Sequence, residues 1–181
     1  MNLPNLITLL RIFLIPVFIV LYRMTGPHSP SAAVLFLIAS LTDLLDGYLA
    51  RRWGQITKLG KFLDPIADKF LVLAALILLV DDHLIASWIA IVIIGRELVV
   101  TGLRAIASSA GIVIEADRGG KYKMVIQTVS IVLLILGSKT GPFDFHVWGT
   151  IFLWVSMILA VASGAQYFMK FWNQVKVKDI G

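Results

Sequence analysis

The chain contains no cysteine among its 181 residues. This absence excludes a disulfide framework and excludes metal sites built from thiolates. Charged residues are also scarce, at 15% of the sequence, whereas 59% of the residues are hydrophobic. A soluble domain carries about 25% charged residues, so this composition is typical of an integral membrane protein.

Basic residues outnumber acidic ones, and the formal net charge is +5. Such a charge can indicate nucleic-acid binding, but an excess of Lys and Arg in cytoplasmic loops produces it equally well in a membrane protein. We therefore expect the lipid bilayer as the surroundings and no nucleic-acid partner. The first apolar segment carries Arg11 inside it and has no basic region before it, so we expect it to be retained rather than cleaved.

Six apolar segments are predicted to be membrane-spanning helices, at residues 6–22, 32–52, 60–80, 84–107, 122–136 and 146–171. Lys and Arg concentrate in the connections after the second and fourth segments and in the C-terminal tail. The positive-inside bias assigns those regions to the cytoplasm. The sequence thus predicts one all-α membrane domain over residues 1–181, with both termini and a polar cavity facing the cytoplasm, in the cytoplasmic (inner) membrane.

Four carboxylates stand close together within residues 43–68: Asp43, Asp46, Asp64 and Asp68. Each pair is three or four residues apart on a predicted helix, so its two members share a face. Carboxylates brought together in a low dielectric repel one another, and divalent cations remove that conflict. Hard oxygen ligands suit Mg²⁺ or Mn²⁺, and the pattern predicts a two-metal site of the kind that handles phosphate esters.

Small and basic residues lie between these carboxylates. Gly47, Ala50 and Gly60 leave room for a ligand to approach the backbone, and Arg51 offers a fork of donors to a phosphate. The alternative is a chance set of solvated charges at helix ends. Charges inside an apolar run are costly and usually functional, which favours the site.

The full spacing is D-x2-D-G-x2-A-R-x8-G-x3-D-x3-D over residues 43–68. It resembles the signature of the CDP-alcohol phosphatidyltransferase family. The resemblance implies a homodimeric enzyme of phospholipid biosynthesis that transfers a phosphatidyl group from CDP-diacylglycerol to an alcohol, releases CMP and uses two Mg²⁺ or Mn²⁺ ions. It implies that the four aspartates bind the metals and that Asp68 is also the general base. It further implies that the CDP-lipid site is lined by Gly47, Ala50, Arg51 and Gly60.

Near the start of the first span, Asn5, Thr8 and Arg11 follow one another at intervals of three. Asn5 could cap the helix, and Arg11 could snorkel to the membrane interface. In the functional interpretation these residues face the nucleotide end of the cavity, which makes Asn5 and Thr8 candidates for CDP-lipid binding.

The fourth span carries a polar stripe, since Glu97, Thr101 and Arg104 lie at i, i+4 and i+7. Arg96 points about 100° away from this stripe. An internal ion pair explains Glu97. Two arginines are more than one glutamate needs, so we expect at least one of them to meet a phosphate.

A basic connection follows, with Arg118, Lys121 and Lys123. These residues are either positive-inside anchors or, with Arg96 and Arg104, a clamp for an acceptor phosphate. Such a clamp suits the dianion glycerol 3-phosphate and leaves inositol phosphate as the main rival acceptor. Serine, choline or ethanolamine would not need so many cations.

Two further segments, N-L-P-N-L-I-T-L-L-R-I-F-L-I-P and G-R-E-L-V-V-T-G-L-R, resemble the family members that use glycerol 3-phosphate. The segment G-K-Y-K-M-V-I-Q resembles their G-K-x-K-T-x-x-Q, but Met124 stands where Thr is usual, so no substrate contact is assigned there. In the same segment Lys123 and Gln127 lie at i, i+4 and carry polarity into the fifth span.

From a different class of protein, a divalent-cation transporter would also place carboxylates in the membrane. The carboxylates cluster near one face, however, and no polar trail continues to the other. His28, His83 and His146 fall in or near loops away from the motif, and we expect no metal role for them.

Overall fold

Six helices account for nearly all of the backbone that the structure, a computed structural model, describes. The described backbone covers residues 3–53, 58–109, 119–137, 139–140 and 143–179, and the described side chains fall within 9–42, 69–109, 122–137 and 143–174. Within these ranges the fold is helical apart from two short strands, which confirms the predicted all-α class. The helices are α1 Leu3–Thr25, α2 Pro30–Trp53, α3 Lys58–Asp81, α4 Ser87–Ser109, α5 Gly119–Leu136 and α6 Phe145–Asp179.

The predicted boundaries need correction in three places. The connection between α3 and α4 lies at residues 82–86 rather than 81–83. The predicted loop at 137–144 contains two short antiparallel strands, β1 Lys139–Thr140 and β2 Phe143–Asp144. The last helix continues to Asp179, because residues 165–179 contain no Gly or Pro that would end it.

The core lies where α1 packs against α2 and α3 and where α5 packs against α6 and α2. The Phe18 ring lies 5.6 Å from that of Phe36 and 6.1 Å from that of Tyr22, measured between centroids. Leu134 on α5 and Leu153 on α6 are fully buried. This apolar packing joins α1, α2, α3, α5 and α6 in one core.

One end of the bundle gathers the connections after α1, α3 and α5. The Tyr22 hydroxyl donates to the Asp82 carboxylate at 2.7 Å, and Arg23 pairs with Asp81 at 2.5 Å. A cavity of about 320 Å³ opens here, and its lining consists of His28, His83, Leu84, Gly137, Asp144 and His146. All three histidines therefore lie at this end, as predicted from their loop positions. Because successive helices alternate in direction, the end of α2 and the start of α3 lie at the opposite end.

The helices present large apolar side chains outward. Phe13, Ile91, Leu98 and Ile158 are each more than 60% exposed. Among the described residues, the stretch Phe145–Gln174 is long and apolar enough to cross a membrane, with a mean hydropathy of 1.9. The apolar stretches Pro30–Thr42 and Tyr122–Leu136 are shorter.

Candidate active site

The D-x2-D…D-x3-D motif occupies the second half of α2 and the first half of α3. Both halves are helical, as the spacing predicts, and residues 54–57 join them. A continuous helix puts residues at i, i+3, i+4 and i+7 on one face, so the backbone provides the geometry on which the metal-site prediction depends.

Most of the predicted site residues have side chains outside the described part of the chain. Their assignments stay predictions. The structure describes the backbone at these positions, on α1, α2, α3 and α5, but not at Arg118, which lies outside the described backbone. These residues are Asn5, Thr8, Asp43, Asp46, Gly47, Ala50, Arg51, Gly60, Asp64, Asp68, Arg118 and Lys121.

Arg11 lies on α1 and is fully buried, at 0% exposure. This burial contradicts the interpretation of Arg11 as an interfacial anchor, because a snorkelling side chain keeps its charged head in water. A buried guanidinium in an apolar bundle is costly unless anionic or carbonyl oxygens surround it. Arg11 therefore lies in the interior of the bundle.

The first described residue after the motif is Lys69, which directly follows Asp68. Its ammonium donates a hydrogen bond to the Thr101 hydroxyl on α4. That hydroxyl in turn donates to the Glu97 backbone oxygen at 2.7 Å. The contact ties α3, one residue beyond the motif, to the polar stripe of α4. The sequence prediction did not include Lys69, although its position beside Asp68 was a usable signal.

Glu97 is the centre of this stripe. Its carboxylate accepts from the Lys123 ammonium of α5 and from Arg96 Nη1 at 3.0 Å. The expectation of an internal ion pair at Glu97 is confirmed. We call Lys69, Arg96, Glu97, Thr101 and Lys123 the α4 cluster. It holds three cations and one carboxylate, so its own charge is positive and favours an anionic group nearby.

Arg96 also reaches the last helix. Its Nε donates to the Ala160 carbonyl oxygen at 2.8 Å, and its Nη2 donates to the Ser163 hydroxyl at 2.5 Å. A Cβ added to Gly164 would lie 3.2 Å from Arg96 Cγ. The Arg96 side chain can therefore pack closely against α6 because residue 164 is a glycine. The structure gives Arg96 a role in joining α4 to α6, while its predicted role in phosphate binding is not tested.

The remaining described cations differ in their surroundings. Arg104 is exposed, and its guanidinium carbon lies 5.5 Å from the centre of the Tyr167 ring on α6, in a cation–π contact. The Lys123 side chain is only 6% exposed. One turn further along α5, Gln127 is 5% exposed. Polarity does continue from this connection into α5, as the i, i+4 spacing predicts.

At the opposite end, the histidine-lined cavity has no comparable arrangement. Among the side chains that the structure describes, no group of three His, Asp or Glu residues is placed to hold a metal ion. The Asp144 carboxylate accepts from the backbone amides of His146 and Val147, at 3.1 and 3.2 Å. It therefore caps the start of α6.

Comparison with known proteins gives consistent results. The family model described as CDP-alcohol phosphatidyltransferase matches residues 1–162. A Bacillus subtilis (strain 168) protein named CDP-diacylglycerol–glycerol-3-phosphate 3-phosphatidyltransferase is 42% identical, over 98% of this chain and 99% of its own length. A Pseudomonas fluorescens protein with that name is 42% identical over 97% and 93%. One from Rickettsia typhi (strain ATCC VR-144 / Wilmington) is 37% identical over 92% and 95%.

Proposed function

The chain belongs to the CDP-alcohol phosphatidyltransferase family and is an enzyme of that family, and we propose that it transfers a phosphatidyl group from CDP-diacylglycerol to glycerol 3-phosphate. The products are phosphatidylglycerophosphate and CMP. Relatives named for this acceptor match the chain over nearly its whole length, which supports the choice of acceptor.

One contact carries the proposal on the structural side. The bond from Lys69 to Thr101 joins α3, immediately after Asp68, to the helix that bears Arg96, Glu97 and Arg104. A positively charged cluster thus lies beside the end of the aspartate motif. A phosphorylated acceptor bound to that cluster would have its hydroxyl near the motif, whereas an uncharged alcohol would have no use for the cations.

The donor set fits a divalent metal. Four aspartates on two adjoining helices supply only hard oxygen ligands, which Mg²⁺ and Mn²⁺ prefer. In this proposal Asp43, Asp46, Asp64 and Asp68 hold two such ions. When bound, the ions would neutralise the pyrophosphate of the CDP-lipid and stabilise CMP as the leaving group.

The protein's own residues carry out the remaining steps. Asp68 takes the proton from the acceptor hydroxyl, whose oxygen attacks the phosphorus that bears the diacylglycerol. The new oxygen–phosphorus bond replaces the pyrophosphate bond, and CMP leaves. An aspartate is a weak base, so it works here through its placement. A cavity poor in water favours the alcohol over hydrolysis.

The binding roles follow from the chemistry of each group. Gly47, Ala50, Arg51 and Gly60, with Asn5 and Thr8, hold the CDP-lipid. Arg104, Arg118, Lys121 and Lys123 hold the acceptor phosphate. Arg96 uses three of its five N–H groups on Glu97, Ala160 and Ser163, so it contributes charge to the acceptor site more than direct bonds.

The apolar outer surface supports a membrane location. Side chains such as Phe13, Ile91 and Leu98 are exposed on the helices, where a bilayer would cover them. The excess of Lys and Arg at the motif end supports a cytoplasmic active site and cytoplasmic termini in the inner membrane. We also propose six membrane spans and a homodimer, the latter on the family resemblance alone.

The test is acceptor choice in purified protein. CMP release is followed in detergent with CDP-diacylglycerol and Mg²⁺, using glycerol 3-phosphate, inositol 1-phosphate, serine and phosphatidylglycerol in parallel. We expect release with glycerol 3-phosphate alone and a loss of at least about 100-fold in Asp68→Asn. Asp81→Asn makes the same change at the opposite end of the bundle and should keep its activity.

Other outcomes would contradict the proposal in different ways. Release with a different acceptor would keep the transfer chemistry and overturn the assignment of the basic cluster to glycerol 3-phosphate. No release with any acceptor, from protein that unfolds cooperatively, would overturn the proposed phosphatidyl transfer and favour cation transport.

A further inference from the structure

Gln127 is a buried polar side chain that the chemistry described above leaves unused. It is 5% exposed, and its side-chain Nε2 has no hydrogen-bond partner among the residues that the structure describes. Leaving a buried amide unsatisfied costs free energy, and such groups are rare in folded proteins. A donor kept in this state needs an explanation, and a bound ligand supplies one.

Lys123 and Ser130, the polar residues one turn before and one turn after Gln127 on α5, both have partners. The unsatisfied donor of Gln127 is therefore not the result of poor packing along the whole helix. One turn before it, the Lys123 ammonium contacts the Glu97 carboxylate. One turn after it, the fully buried Ser130 hydroxyl donates to the Gly149 carbonyl oxygen at 2.8 Å. Gln127 lies between two residues whose bonds hold α5 to its neighbours, and its own Nε2 has no partner among the described residues.

The position of Gln127 on α5 indicates which ligand could accept its hydrogen bond. Gln127 lies at i+4 from Lys123, so the two side chains share a face of α5, with Cβ atoms about 5–6 Å apart. Lys123 presents that face to Glu97 in the α4 cluster, and α5 also packs against α2 and α3, which carry the motif. Lys123, one turn away on the same face, is a candidate for binding the acceptor phosphate and contacts Glu97 of α4. A ligand that reaches Gln127 beside this ammonium is therefore assigned to the acceptor side.

We infer that Gln127 is a specificity-determining residue whose side-chain amide donates a hydrogen bond to the phosphorylated polyol acceptor, beside the Lys123 ammonium that Glu97 holds in place. This inference rests on the proposed function. The amide donates to a phosphate or hydroxyl oxygen of the acceptor, and the ammonium supplies the charge. Glu97 acts as a positioning residue, because its carboxylate contacts the Lys123 ammonium one turn away from Gln127.

The test compares Gln127→Leu and Gln127→Met with the wild-type protein in detergent. Both variants keep the size of the side chain and remove the donor. We expect the KM for glycerol 3-phosphate to rise about 10-fold, the loss from one hydrogen bond to a charged group, with the KM for CDP-diacylglycerol unchanged. The unfolding midpoint should not fall, because an unsatisfied donor has been removed. Gln127→Glu should raise the KM for glycerol 3-phosphate further, since its carboxylate repels the phosphate.

Ser130→Ala is the matched control, as a buried polar residue one turn away on the same helix. It loses a hydrogen bond that the structure shows, so its unfolding midpoint should fall while both KM values stay at the wild-type level. This pattern is the reverse of the one expected at Gln127.

Each other outcome overturns a specific statement. An unchanged KM for glycerol 3-phosphate in both apolar variants would overturn the role of Gln127, as would a rise confined to CDP-diacylglycerol. A lower unfolding midpoint in both variants would mean that the amide is bonded within the protein, which also overturns it. No CMP release from wild-type protein with glycerol 3-phosphate would instead overturn the proposed function itself.

Discussion

Arg96 Nε on α4 donates a hydrogen bond to the carbonyl oxygen of Ala160 on α6, 64 positions later in the chain, over 2.8 Å. The same guanidinium reaches the Ser163 hydroxyl and the Glu97 carboxylate. A planar fork can serve three acceptors in different directions, which a single ammonium cannot do with the same geometry. The packing of α4 against α6 therefore depends on an arginine at this position.

Arg96→Lys should lower the free energy of unfolding by about 2 kcal/mol, because at least one partly buried hydrogen bond to a charged donor is lost. Thermal unfolding in detergent measures this as a lower midpoint. Arg104→Lys is the control on the same helix, since Arg104 is exposed and its contact with Tyr167 is a surface cation–π interaction. Its midpoint should hardly move. Equal shifts in the two variants would contradict a special role for Arg96.

Gly149→Ala should destabilise the contact between α5 and α6 by about 1–3 kcal/mol, the usual cost of overpacking. An added Cβ would lie 2.8 Å from Leu134 Cγ and 3.0 Å from the Leu134 backbone nitrogen, and the backbone cannot move aside cheaply. Gly95→Ala is the matched control, because a Cβ there meets nothing within 4 Å. It should leave the unfolding midpoint unchanged or raise it, since Ala favours a helix over Gly. A stable Gly149→Ala would contradict this close packing.

Gly137→Ala should destabilise the end of the bundle that bears the histidines, for two reasons. Gly137 has a φ of +47°, which disfavours residues with a Cβ, and an added Cβ would overlap the His28 ring at 1.9 Å from Nδ1. The double variant His28→Ala, Gly137→Ala removes the overlap and keeps the backbone cost. It should recover part of the lost stability in a double-mutant cycle. Additive losses would show that the two residues do not touch.

Chelation should abolish CMP release, because the proposed site needs ions to bring four carboxylates together and to balance the pyrophosphate charge. Activity is measured after treatment with EDTA and again after Mg²⁺ or Mn²⁺ is added back. Either ion should restore it, and Asp46→Asn should require a higher metal concentration. Full activity in the presence of EDTA would contradict the metal site.

The local features of this molecule could be predicted from the sequence. The helical halves of the motif, the loop positions of the histidines and the ion pair of Glu97 all follow from spacing and composition, because periodicity and charge are properties of the chain itself. The end of α6 was predicted too early, since lysines near the C-terminus suggested a tail. The helix continues to Asp179 because nothing in residues 165–179 breaks it.

The partners of the polar residues depended on packing between distant helices. Helical spacing predicts that Arg96 points away from the stripe that contains Glu97. In the structure its long side chain contacts both Glu97 and α6, where Gly164 leaves space for it. The sequence allowed Arg11 to be either an interfacial anchor or an interior residue, and its complete burial shows that it lies in the interior. The sequence by itself determined the helical elements and the family, because periodicity and motif spacing are properties of the chain. Only the tertiary structure decided which donors are satisfied and which, like the Gln127 amide, are not, because that depends on atoms from helices far apart in the chain.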